Sequence, residues 1–520
     1  MIKNYLKIAY RNLAKYKFIS FINLFGLTVG LTCCLLILTY ILHELSYDKF
    51  QPNANRVYRV TRTFYNAQDG SVALNLGTVA PPFGPLLQND FADIEEFTRI
   101  YPQGPTPVKF AEKMFNERNA VFADEHFFHF FSTDITEGDA IGGLKEPYSV
   151  MLTEDIAKKY FGSEDPLNKL IRIDAATSYV DFKVTGIFKS FPTNTHIHPD
   201  ILMSFATLND TTILGRRNLE TGWGNNSFFT YIRLPNGYNP ARLKAGFPAF
   251  LDRHMASQYT MTKPHVATSL DLQKITDIHL RSHTDFEAEE NGDIKRVYIF
   301  SAIALFILLI ACINYMNLST ARSTLRAKEI GIRKTVGARN NEIIAQFLSE
   351  SVLIAWLAML IAFGATAALL PWLNRVSGQQ LDIHVLLQPA VLSGIVVVPF
   401  VVGLLSGIYP AIFMSSFRPV LVLKGFLKTG NAGISFRQVL VTVQFAISIA
   451  LIICTAIVFG QLGYLQKKSL GFDKDHIVTL PYYTALNERF DAFRNDLLSN
   501  PNIRNVARSS RIPSGRLLDE

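Results

Sequence analysis

Cysteine is scarce: Cys33, Cys34, Cys312 and Cys454 are the only four in 520 residues, and each lies inside a long apolar run. That excludes a disulfide framework and a CxxC metal knuckle. The phosphate-cradling pattern GxxxxGK[ST] is absent, so the chain carries no nucleotide-binding motif of that kind. No Ser/His/Asp or Cys/His arrangement stands out either, and neither a catalytic site nor a bound cofactor or metal is expected. Charge is missing from five stretches, residues 19–42, 296–318, 343–370, 388–413 and 438–462, where Glu350 is the one acidic or basic side chain away from the edges.

Those runs are what the chain has instead. A helix rises about 1.5 Å per residue, so about 20 apolar residues cross a bilayer core. Apolar stretches of buried soluble helices are shorter, and the runs predict an integral membrane α-helical bundle with five spans. The net charge of +8 belongs to topology. Lys3, Lys7, Arg11, Lys15 and Lys17 precede the first span; Arg322, Arg326, Lys328, Arg333, Lys334 and Arg339 follow the second; Arg418, Lys424, Lys428 and Arg437 follow the fourth. The short loop after the third span holds just Arg375 and Asp382. All three basic regions fall on one side if the N-terminus is cytoplasmic. No nucleic-acid partner is needed to explain them.

The first span is too long for a signal-peptide core and has no small-residue cleavage site after it, so it reads as an uncleaved anchor. Ahead of it, residues 1–18 place Ile2, Tyr5, Leu6, Ala9, Leu13 and Tyr16 opposite the lysines, an amphipathic helix for membrane lipids or a cytoplasmic partner. Residues 43–295 then form one large extracytoplasmic insertion of mixed α+β character. Val57 to Thr61 alternates as a half-buried strand, with Tyr58 and Val60 on one face and Arg59 and Thr61 on the other. Ser149 to Leu152 reads as a strand, Thr153 as an N-cap, and Glu154 to Tyr160 as a helix closed by Gly162. Leu170 to Ile173 and Phe182 to Phe188 read as further strands, while about 210–270 resists parsing. Tyr47-Asp48-Lys49 after the first span is echoed by Phe472-Asp473-Lys474 after the fifth, followed by strand-like Ile477 to Leu480. The echo predicts that residues 463–520 start a second extracytoplasmic domain, apparently truncated in a longer protein.

Residues 319–342, between spans two and three, carry the mechanistic signal. Arg322, Arg326, Glu329 and Arg333 share one helical face, Leu325, Ile332 and Val336 another, and Gly337 supplies a stop. A short amphipathic helix of this kind suits docking to a soluble motor, or simply holds topology. Other clusters read as structural. His196, His198 and Asp200 sit in a Pro-flanked loop, and Asp124, Glu125, His126 and His129 lie within an aromatic packing segment. Glu350, near the inner end of span three, is an intramembrane ionisable group of the kind that is often functional, or it simply snorkels to the interface or pairs with the basic segment.

The stretch Lys328-Glu329-Ile330-Gly331-Ile332-Arg333-Lys334-Thr335-Val336-Gly337-Ala338, with Gln346-Phe347-Leu348-Ser349-Glu350-Ser351, resembles the FtsX-like permease signature of the MacB and LolC/LolE type. Gly162 to Lys169, Val184 to Phe188, Pro192 to His196 and Tyr409-Pro410-Ala411 also resemble MacB-type permeases and their periplasmic core domain. The resemblance implies a multi-pass bacterial inner-membrane permease subunit of an ABC transporter, with its large domain in the periplasm. It implies a mechanotransmitter driven by a separate ATPase subunit, in two copies, and a second permease unit or second half as a further partner. Arg322, Arg326, Glu329, Ile332, Arg333, Lys334 and Gly337 would then contact the ATPase, and His43, Glu44, Asp293 and Arg296 would form a stalk. A membrane-anchored extracytoplasmic sensor signalling through a partner is the alternative.

Overall fold

The computed structural model describes residues 17–140, 142–175, 178–259, 263–416, 436–468, 476–480, 486 and 489–509. Residues 1–16 of the helix expected over 1–18, the basic residues Arg418, Lys424 and Lys428, and the Phe472-Asp473-Lys474 echo lie outside them. The chain divides into two compact units, Met1–Ser46 with Gly292–Phe472, and Tyr47–Asn291 with Asp473–Glu520.

The first unit is helical: α1 (Lys17–Leu45), α2 (Ile294–Thr335), α3 (Asn340–Ser377), α4 (Pro389–Ser415) and α5 (Phe436–Lys467). Each holds a stretch long and apolar enough to cross a membrane. A helix satisfies its own backbone there, which is why apolar runs of this length adopt it. Leu27, Leu31 and Leu35 of α1 pack with Ala311 and Tyr315 of α2 and with Ala355 and Ala358 of α3. Without a hydrophobic effect between helices in lipid, close approach of small residues supplies the contact. A Cβ at Gly30 would lie 2.7 Å from the Ala311 Cβ, and one at Gly403 in α4 would lie 2.5 Å from the Val352 Cα. In α5 no described side chain is buried, and Ile452 and Phe459 point outward, as lipid-facing residues do.

One boundary differs from the sequence expectation. Span two does not end near residue 318 and yield to a loop with its own short helix. Instead α2 runs unbroken for 42 residues to Thr335. Ala, Arg, Leu, Lys and Glu dominate 321–334, all good helix formers, with no proline to interrupt them. The turn comes at Gly337, whose φ of +102° is a conformation that glycine adopts freely.

The second unit holds an eleven-stranded sheet. Its strands are β1 (Val57–Tyr65), β2 (Val72–Leu76), β3 (Glu96–Phe110), β4 (Lys113–Ala123), β5 (Ile135–Gly138) and β6 (Ser149–Thr153), followed by β7 (Leu170–Ala175), β8 (Ser178–Phe188), β9 (Ile201–Ser204), β10 (Phe229–Arg233) and β11 (Thr268–Lys274). They are ordered β11-β1-β10-β3-β4-β9-β6-β8-β5, with β2 on β1 and β7 joining β3 to β8. Pairs β4/β9 and β6/β8 are parallel. Thr153 caps the helix Glu154–Phe161 by accepting the Ile156 N–H, and Gly162 closes it at φ +67°. Where the sequence was hard to parse, the chain forms the helix Arg216–Thr221, strand β10 and the helix Pro240–Met255.

Two strand expectations need correction. Val57 to Thr61 is not half-buried: Arg59 is fully buried and Thr61 nearly so. Arg59 is tolerated there because its guanidinium donates to Glu287 at 3.0 Å, Gln273 at 2.7 Å and Ser282 at 2.9 Å. Ile477 to Leu480 is assigned no strand, and Ile477, Val478 and Leu480 are exposed.

Candidate coupling site

The end of α2 and the start of α3 form a hairpin turned by residues 337–339. Ala338 N–H donates to the Arg333 carbonyl at 3.1 Å, and Glu342 reaches back to accept the Arg339 N–H at 3.1 Å. Those bonds satisfy backbone groups that helix ends otherwise leave open.

Ile330 packs with Ile343 and Phe347 of α3 and with Ala411 and Met414 of α4. Arg326 is on the same side. Its Nη1 and Nη2 donate to Glu350 Oε2 and Oε1 at 2.9 and 3.0 Å, a two-pronged pair with side chains only 4% and 7% exposed. The guanidinium also lies 5.5 Å from the Phe347 ring centre. Two turns further, Arg333 donates to Gln346 at 2.6 Å and to Glu329 at 2.7 Å. Lys334 donates to the Ser415 carbonyl. Three basic residues thus tie the last turns of α2 to α3 and α4.

The opposite face is left in solvent. Ile332 is 50% exposed and Val336 84% exposed, with Lys328, Glu329, Thr335 and Gly337 beside them. The charged set is split: Arg326 is buried against Glu350, 24 residues away, Arg333 is partly covered, and Glu329 stays exposed beside the apolar pair. The sequence reading offered pairing with the basic segment as one option for Glu350, and the pairing is formed. The Arg322 side chain lies outside the described residues.

The other singled-out residues fall elsewhere. In the first unit, His43 and Glu44 are buried at the end of α1. Asp293 caps α2 by accepting the Lys295 N–H at 2.8 Å, and Arg296 is exposed in its first turn. In the second unit His196 is buried, with Nε2 2.7 Å from the Tyr231 hydroxyl and Nδ1 3.0 Å from Asp48. His198 instead meets Glu289 at 2.8 Å. These two histidines serve separate hydrogen bonds and do not converge.

Comparison with known proteins places these features. Residues 20–249 match the model of the MacB-like periplasmic core domain, and residues 301–419 match the FtsX-like permease C-terminal model. The chain belongs to the MacB/FtsX-type permease family. Its relatives include the macrolide export ATP-binding/permease protein MacB of Neisseria gonorrhoeae, 26% identical over 52% of this chain and 37% of that protein. MacB of Bdellovibrio bacteriovorus is 33% identical over 24% of this chain and 19% of the relative. The chain thus spans well under half the length of these curated relatives. Among solved structures, a domain of a permease protein from Porphyromonas gingivalis covers 43% of this chain and 92% of its own length, at 20% identity and TM-score 0.36. The periplasmic region of MacB from Actinobacillus actinomycetemcomitans covers 42% of this chain and 90% of its own, at 14% identity and TM-score 0.28. The FtsX-like match contains both partners of the Arg326–Glu350 pair, and the MacB-like match takes in α1 and β1 to β10 but not β11. In this MacB/FtsX-type chain the inward-facing basic residues and the exposed apolar pair lie on one continuous helix.

Proposed function

We propose that this chain is the permease subunit of an ABC transporter and works as a mechanotransmitter. One observation carries the reading: α2 is a single helix of 42 residues. At about 1.5 Å per residue that is a rod of about 63 Å, twice the roughly 30 Å of a bilayer core. A push on one end of an unbroken helix is delivered to the other.

The end near Thr335 lies in the cytoplasm in this reading, consistent with the positive-inside bias of the loops. It presents Ile332 and Val336 among Lys328, Glu329 and Thr335, an apolar knob with a polar rim. A soluble ATP-binding subunit, expected as two copies on a separate polypeptide, seats that knob and moves it as it closes on nucleotide. At the far end α2 begins at the capped Asp293, where the chain emerges from the Tyr47–Asn291 unit. The periplasmic domain is thereby moved to export or extract its substrate.

The test is co-purification of the full chain with its candidate ATP-binding subunit in detergent, comparing wild type with Ile332→Glu and Val336→Glu. Both positions are exposed, so association is expected to fall while the melting temperature holds. Undiminished association in both variants would refute the coupling role of this surface and favour the anchored-sensor reading.

A further inference from the structure

In the second unit the aromatic segment after β4 holds two half-exposed histidines whose shared partner is far away in sequence. The one-turn helix Phe127–Phe130 puts His126 and His129 three residues apart, on one side, with their rings 5.4 Å apart. Both face Glu96, the first residue of β3. Glu96 Oε1 lies 3.3 Å from His126 Nδ1 and 2.8 Å from His129 Nδ1, and the three ligand atoms all fall within 4.8 Å of one another.

We propose that Glu96, His126 and His129 form a binding site for a divalent transition-metal ion of the zinc class. Two imidazole nitrogens and one carboxylate oxygen are a donor set that suits zinc. Bonds of about 2.0–2.1 Å in a tetrahedron put neighbouring ligand atoms about 3.4 Å apart. The 3.3 Å between His126 and Glu96 already meets that spacing, and His129, at 2.8 Å from Glu96, needs to withdraw by about 0.6 Å to reach it.

Three further features support the assignment. His126 Nδ1 is buried yet makes no hydrogen bond, so a lone pair in the cluster has no other use. Glu125 Oε1 lies 3.8 Å from His126 Nε2, beyond hydrogen-bond distance, so it adds negative charge beside the cluster without bonding the ring. Arg233 Nη2 holds Glu96 Oε2 at 2.9 Å, which leaves Oε1 to the ion and makes the carboxylate a one-oxygen ligand. The arginine's charge also weakens the site against an unopposed set of the same ligands.

The scaffold is rigid. Phe127, Phe130 and Phe131 are buried beneath the histidines, and Arg99 holds Asp124 through Oδ2 at 2.9 Å and Oδ1 at 3.0 Å just ahead of them. The histidine side chains are 39% and 37% exposed, so an ion reaches them from solvent and keeps a position for water. A bound ion would clip the start of β3 to the Phe127–Phe130 helix.

The test uses zinc chloride titrated calorimetrically into the full detergent-purified chain, metal-stripped beforehand, beside His126→Ala, His129→Ala and Glu96→Gln. Cobalt(II) provides a second readout through its visible absorption in a tetrahedral site. We expect one equivalent to bind the wild type, with affinity reduced at least about tenfold in each variant and the cobalt band lost. The metal-free melting temperature should be unchanged in the two histidine variants, which shows that they fold. Absence of saturable zinc binding in the wild type overturns the proposal, as does binding that persists undiminished in all three variants.

Discussion

Removing one member of the Arg326–Glu350 pair should be among the most damaging changes available in the helical unit. With Arg326→Met, the Glu350 carboxylate keeps a side chain only 7% exposed and loses both of its donors from the guanidinium. Breaking a buried pair in this way costs about 3–5 kcal/mol, mostly because the surviving buried charge loses the opposite charge that offset it. The same holds for Glu350→Leu, which strands the guanidinium against Phe347. The double variant removes both charges and should recover most of the loss, so the cycle should show a coupling of about 2 kcal/mol or more. A control is built into the same helix. The Glu329–Arg333 pair spans one turn with side chains 45% and 36% exposed, and its rupture should cost only about 0.3–0.5 kcal/mol. The assay is unfolding of the full chain in detergent, followed by fluorescence of Trp356 and Trp372 on α3. Single variants no worse than Glu329→Ala, or a double variant equal to the sum of the singles, would refute the buried pair. The result also bears on docking: charge reversal at Arg326 is a test of the fold, whereas introducing a charge at Ile332 and Val336 is a test of the surface.

Two other outcomes follow from the packing. Burial pushes the Glu287 carboxyl up, but Arg59 and hydrogen bonds from Ser282 and Thr284 outweigh it and hold the group below its ordinary value of 4.5. Its contribution is therefore present above pH 4.5 and lost as pH falls through the lower folded value, so Glu287→Gln should flatten the acid side of a melting-temperature profile; an unchanged slope would contradict the assignment. Gly403→Leu should destabilise the helical unit by about 1–3 kcal/mol or more, since a Cβ there already meets the Val352 backbone at 2.5 Å; unfolding indistinguishable from wild type would rule out that close approach.

What could be read in the sequence was local. The five apolar runs announce helices because length and charge depletion are properties of each run alone. Ser149 to Gly162 was legible for the same reason: a strand, a threonine cap, a short helix and a closing glycine are written consecutively. What failed depended on distant partners. Arg59 looked like a solvent-facing strand residue because Glu287 stands 228 positions away. Glu96 was not connected to the two histidines because 30 and 33 residues of sheet separate them. Which side of α2 is covered was not legible because amphipathicity records only how side chains divide around the helix, and says nothing about which side a neighbouring helix will satisfy.

The fastening of α2 bears on how a rod can carry force under the proposed mechanism. A helix pushed at a free end bends or slides unless the end is held. Here Arg326 grips Glu350, Arg333 grips Gln346, and Lys334 grips the Ser415 carbonyl, so the last three turns of α2 are fastened to both α3 and α4. A displacement applied at Ile332 and Val336 is then shared by three helices rather than absorbed by one. The basic residues on the inner face are thus the brace, and the apolar residues on the outer face are the handle. Loosening the brace should uncouple motion from binding: an Arg326→Met/Glu350→Leu chain that still folds should keep its ATP-binding partner but lose substrate movement. That pairing of outcomes separates a mechanical role for α2 from a purely adhesive one.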